Sequence, residues 1–207
     1  MNCKVFFFYF FFSVTLYSQT NINVNYMYYL DTESPAKVQC KLNVNDNISV
    51  FYFIASTFEK WDNDKPISPE YDLPEEDVIS PDTSKNVYVK IDRQFRIMEM
   101  IDNLSIFDFM NVLDTFPDNN WQITTESKLL NNYNCIKATT IYRGRQWEVW
   151  FTPQLPISAG PWKLQGLPGL ILEAKSVGGR FHFVATKISF EKENLTFPKE
   201  GLKQITL

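Results

Sequence analysis

Apolar and polar positions alternate with a period of two along most of this chain. Ile22, Val24, Tyr26 and Tyr28 interleave with Asn21, Asn23, Asn25 and Met27, which predicts a strand with one polar face. Val38 to Val44 predicts a second strand. After an Asp46-Asn47 turn, Ile48 to Ala55 predicts a third that is apolar enough to be central. Together they suggest a short antiparallel meander. Further strands are predicted at Val87 to Ile91, Phe95 to Met100 and Leu104 to Val112, with a tight hairpin at Asp92-Arg93. Phe116 to Asn120 reads as a turn, followed by strands at Trp121 to Thr125, Cys135 to Tyr142 and Gln146 to Phe151. Arg143-Gly144-Arg145 joins the last two of these. Leu170 to Lys175, a Gly178-Gly179 turn and Phe181 to Phe190 complete the series. No long stretch carries a capped 3.6-residue period. The expectation is an all-β, mostly antiparallel fold: a single curved sheet, half-barrel or partly open barrel.

Two stretches break the alternation. Met1 to Thr20 holds one lysine, Lys4, ahead of an apolar run from Val5 to Tyr17. That run is short for a membrane span and fits a secretory signal, so residues 1–18 are expected to be removed. Residues 19–207 are then one β domain. The second break lies near 57–84, where Pro66, Pro69, Pro74 and Pro81 accompany many acidic residues. Prolines at that density disfavour ladders and helices, and a long mobile loop is expected.

Composition narrows the chemistry. Net charge is −4 with no basic stripe, so nucleic acid is not an expected partner, and any membrane contact is expected only through the export signal. Cys3 falls within the signal, leaving Cys40 and Cys135. In an exported protein this pair permits a disulfide; two buried free thiols are the other reading. One histidine and two distant cysteines do not supply a zinc site, and no metal or other cofactor is called for. Acidic residues in Glu70 to Asp82 and in Asp62-Asn63-Asp64 lack the EF-hand pattern and read as solvated loops.

Catalytic groups are sparse. There is no G-x-S-x-G elbow. His182 stands between Phe181 and Phe183 on a predicted strand, where it is either a base paired with Ser158 or Cys135, or an ordinary strand residue. Glu148 and Glu173 are either a carboxylate pair on neighbouring strands or cross-strand partners of Arg143, Arg145 or Lys175.

The densest feature is Gly160 to Ala174, GPWKLQGLPGLILEA. Three of only seven glycines (Gly160, Gly166 and Gly169) sit there with Pro161 and Pro168. Such a loop is built for one backbone shape. Trp147, Phe151, Trp150 and Trp162 concentrate beside it, and Trp147 and Trp150 cannot share one face of a regular strand. Trp150, Trp162, Lys163, Leu167 and Pro168 are therefore candidate contacts for a ligand or partner, with Gly160, Pro161, Gly166 and Gly169 shaping the loop. A purely structural corner is the competing reading.

These stretches resemble the GLPGLI family of bacterial envelope proteins. The resemblance runs over Trp121 to Phe190 and rests on Cys135-x-Lys137-Ala138-Thr139, Arg143-Gly144-Arg145 and Trp150-Phe151-Thr152-Pro153. It is strongest at Gly160-Pro161-Trp162-Lys163 and Gly166-Leu167-Pro168-Gly169-Leu170-Ile171. It implies export in Bacteroidetes-type cells and a periplasmic or outer-surface location, and it implies no reaction. Gln154-Leu155 and Leu164 depart from the family's usual residues. The expected function is a non-enzymatic binding or envelope-interaction module for an apolar or peptide-like ligand or an outer-membrane protein. An envelope hydrolase and a purely structural role are the alternatives.

Overall fold

The computed structural model describes residues 21–31, 35–60, 86–103 and 109–206. The expected signal at 1–18 and all but the first residues of the Pro-rich stretch near 57–84 lie outside them, as do the two acidic clusters.

Among the described residues the alternating segments form strands of one open sheet. The N-terminal meander is β1 (Ile22–Leu30), β2 (Ala36–Val44) and β3 (Ile48–Phe53), with a two-residue β4 (Glu59–Lys60) paired to β2. A second set comprises β5 (Tyr88–Asp92), β6 (Ile97–Asn103) and β7 (Phe109–Asp114). The third comprises β8 (Gln122–Leu130), β9 (Tyr133–Tyr142), β10 (Arg145–Thr152), β11 (Leu170–Ser176) and β12 (Phe181–Ser189), and β13 (Lys203–Thr206) ends the series. The spatial order is β13-β7-β6-β5-β3-β2-β1-β12-β11-β10-β9-β8. Every pairing is antiparallel except β13 with β7. The expected all-β, mostly antiparallel curved sheet is therefore the observed fold.

Ring contacts reveal the curvature. Phe51 on β3 and Phe183 on β12 are three strand spacings apart, about 14 Å on a flat sheet. Their ring centroids lie 5.9 Å apart. The sheet thus wraps around one concave core. Ile22, Val24 and Tyr26 of β1, Cys40 and Leu42 of β2, and Val149 and Phe151 of β10 point into it, as the alternation requires. The Tyr26 hydroxyl spends its donor on the Ile171 carbonyl at 2.5 Å, so this fully buried phenol is satisfied.

The segment between β10 and β11 plugs the concave face with Leu155, Ile157, Ala159, Leu164 and Leu167, all buried. Gly160 and Gly169 are demanded by close approach. A Cβ at Gly169 would lie 2.2 Å from the Thr152 carbonyl oxygen, and one at Gly160 would lie 2.7 Å from that of Leu164.

The convex face of the meander is also covered. Leu195, Phe197 and Leu202 pack against Val50, Tyr88 and Ile101. Asn23, expected on an open polar face, is buried, and its amide donates to the Glu191 carbonyl at 2.7 Å. Lys41 pairs with Glu193 at 2.6 Å, and Lys199 with Glu99 at 2.9 Å. This covering and β13 were not expected, because Phe190 to Thr206 carries little alternation.

The disulfide is not formed. Cys40 and Cys135 are free and buried, and β1, β12, β11 and β10 intervene between their strands. Burial raises both thiols, Cys135 to about 11.

Candidate ligand-binding site

The curvature draws aromatics from β1, β3, β10 and β12, of which only β1 and β12 are neighbours, and from the Gly/Pro loop to one place. Tyr28 of β1, Phe53 of β3 and Phe181 and Phe183 of β12 line a cavity of about 210 Å³ together with Trp147 and Arg145 of β10. Trp162 of the loop completes the lining. Tyr28 stacks on Phe183 with centroids 4.5 Å apart, and Trp147 stacks on Phe181 at 6.3 Å. The Trp147 and Trp162 rings lie 6.0 Å apart. Burial raises the Tyr28 pKa, Cys40 adds to the rise and the Arg145 charge partly offsets it, so the phenol stays neutral.

Arg145 sits just past the β9–β10 turn, where Arg143 and Gly144 have φ of 52° and 72°. This turn swings the Arg145 guanidinium over Phe181, 4.8 Å from the ring centroid. The Trp147 indole N–H is buried beside the cavity without an acceptor among the described residues.

Trp162 is held by strain and by its neighbour. Its φ of 55° places a bulky residue in the left-handed region. The next side chain, Lys163, turns inward and donates to Asp114 at the end of β7, 2.7 Å away. Arg143 donates to the same carboxylate at 2.6 Å. Trp121 and Asn119 both donate to the Gln165 carbonyl, at 2.7 and 3.2 Å. The expected turn at Phe116 to Asn120 thus helps grip the loop, since the Gln165 amide also donates to the Pro117 carbonyl. The inward-facing residues fix the loop, and Trp162 alone of its candidate contacts reaches the cavity.

The other candidates separate accordingly. Leu167 is 1% exposed and belongs to the core, and Lys163 is consumed by Asp114. Pro168 is exposed but does not line the cavity. Gly160, Pro161, Gly166 and Gly169 shape the loop. Trp150 faces away from Trp147, as strand parity demands, and the Lys128 ammonium lies 4.4 Å from its ring centroid.

The catalytic candidates lie on that other face. Glu173 accepts from Lys128 and bonds the His182 ring nitrogen at 2.9 Å. Burial would raise the Glu173 pKa, but the bonds from His182 and Lys128 outweigh it and the carboxyl is held low. Lys128 reaches Glu173 across β9 and β10, and the Asn131 amide reaches the Ala185 carbonyl of β12. The tip of the β8–β9 hairpin therefore folds back over the sheet. Glu148 does not join Glu173; it pairs with Lys137 at 3.5 Å. Ser158 is engaged by the Gly166 N–H rather than by His182. Among the described residues no group of three or more His, Cys, Asp or Glu is placed to hold a metal ion.

Tyr28, Phe53, Phe181 and Phe183 escaped the sequence reading because nothing local says that β1, β3 and β12 converge. The parity conflict between Trp147 and Trp150 was the one available signal.

The family model described as "N-glycanase peptide, N-terminal domain" matches residues 41–205. The chain belongs to that N-glycanase N-terminal domain family. Two solved structures of PNGF-II share the fold. The form in space group P21 has a TM-score of 0.61 at 16% identity, covering 91% of this chain and 32% of that one. The C2 form has a TM-score of 0.56 at 17% identity, covering 92% and 31%. The chain thus spans about a third of the length of PNGF-II. No curated protein matches it.

Proposed function

We propose that this N-glycanase N-terminal domain is a non-catalytic carbohydrate-recognition module whose site is the cavity between Trp147 and Trp162. The observation that carries the reading is that cavity, walled by six aromatic rings and one arginine. The C–H face of a pyranose ring is apolar and fits flat aromatic walls, while its hydroxyls need a few polar groups at the rim. The family's name supplies the ligand class, since N-glycanases act on glycans attached to proteins. Recognition rather than hydrolysis is favoured because Glu173 and His182 are bound to each other beneath Lys128, and among the described residues the nearby Cys135 thiol is held protonated by burial.

We further propose that the protein is exported, to the periplasm or outer surface, as the apolar N-terminal run and the GLPGLI resemblance imply. A glycan ligand takes the place of the apolar or peptide-like ligand expected from the loop alone.

Calorimetric titration of the purified protein with free N-glycans tests the reading. Saturable binding that Trp162→Ala and Trp147→Ala each weaken at least tenfold, with unchanged circular dichroism, is expected. Binding that survives both substitutions would refute the site.

A further inference from the structure

We propose that the cavity selects a sugar acid, a pyranose whose ring carries a carboxylate, with Arg145 as the selecting residue. This rests on the carbohydrate reading above and names the substrate class of the same site.

Charge is the argument. The chain is acidic overall, at −4. Many of its cations are matched: Lys37, Lys41, Lys90, Lys128, Lys137 and Lys199 each have a carboxylate within ion-pair distance. Arg143, two residues before Arg145, donates to both oxygens of the Asp114 carboxylate at 2.6 Å. Arg145 has no carboxylate partner and donates no hydrogen bond among the described residues. Its guanidinium lies over the Phe181 ring, and its charge is felt at the Tyr28 hydroxyl. Among the described residues no acidic side chain lines the cavity.

A guanidinium held over an aromatic ring keeps its N–H edge available to a second partner. That edge offers two parallel N–H donors, the fork that matches a carboxylate. Phe181 carries the guanidinium and also stacks with Trp147, so the fork and the aromatic wall share one support. A pyranose lying against Trp147 and Trp162 would present a ring carboxylate to Arg145. A neutral sugar offers that fork only hydroxyls, and its binding forgoes the charge-assisted pair.

The test compares matched ligands on the intact protein. One pair is a sialylated N-glycan and the same glycan after removal of sialic acid. The other is a glucuronate oligosaccharide and its counterpart with a hydroxyl at C6. At least one acid is expected to bind ten-fold or more tightly than its neutral partner. The preference is expected to shrink with added salt and to vanish in Arg145→Gln, which then binds the acid and its neutral partner alike. Equal affinities within both pairs, unchanged in Arg145→Gln, would overturn the sugar-acid assignment while leaving a sugar site intact. Absence of any sugar binding, acidic or neutral, would overturn both.

Discussion

The Lys163 ammonium lies 2.7 Å from the Asp114 carboxylate, and their side chains are only 5% and 2% exposed. Two charges are buried at the foot of the loop that presents Trp162. Removing Asp114 leaves the buried Lys163 ammonium without its carboxylate, which costs about 3–5 kcal/mol for a buried pair. Asp114→Asn is expected to lose stability on that scale in urea unfolding. The double variant Asp114→Asn/Lys163→Met is expected to recover part of it.

The same carboxylate sets an acid-side limit. Burial would raise the Asp114 pKa, but hydrogen bonds from Lys163 and Arg143 prevail and hold it at about 2. At Lys163 burial, helped by the nearby Arg143 charge, outweighs the Asp114 bond and the pKa falls. The acid limb follows Asp114, because lysine titrates far above that range. A depressed folded-state pKa contributes stability above the unfolded value, about 3.9. That contribution is lost as pH falls through about 4 towards 2. Glu173 and Glu99 are held low too and act in the same direction. Unfolding free energy measured from pH 7 to pH 2 should fall most steeply below pH 4, and Asp114→Asn should flatten that limb.

Glu173 ties the β8–β9 hairpin to β12 through Lys128 and His182. Glu173→Gln weakens two charge-assisted bonds, and a cost of about 1–3 kcal/mol is expected. Cys135, near the hairpin tip, is fully buried in the native protein. Its rate of reaction with a thiol reagent should rise in Glu173→Gln, while Cys40 stays unreactive under native conditions.

Trp162 offers a test of strain. A residue with a Cβ pays roughly 1–2 kcal/mol in the left-handed region, and glycine does not. At φ 55°, Trp162→Gly should therefore be more stable than Trp162→Ala, although alanine buries more surface. Thermal unfolding of the two variants checks the order.

Local chemistry made the strands legible. The β1, β2 and β10–β12 segments follow their period-two patterns, and Gly144, Gly178 and Gly179 supply the positive φ that their turns need. The β8–β9 hairpin was underread. Asn131 and Asn132, with φ of 48° and 63°, supply its turn, and the strand before it runs on to Leu130 rather than ending at Thr125. Asparagine tolerates that region, so the signal was present. The site was legible only in part. Trp162 announced itself through the glycines and prolines around it. Its partners come from β1, β3, β10 and β12, and their meeting depends on sheet curvature, which no window of sequence encodes. The inward turn of Lys163 likewise depends on Asp114, forty-nine residues earlier.

The most direct measurement is an indole N–H spectrum of ¹⁵N-labelled protein during titration with an N-glycan. The chain has five tryptophans, so each signal can be assigned by single substitution. The Trp147 and Trp162 signals should move together and saturate. Trp121, bonded to the Gln165 carbonyl, and Trp150, under Lys128 on the opposite face, should stay in place. Movement confined to Trp150 or Trp121, or no movement at saturating glycan, would contradict a carbohydrate site in the aromatic cavity.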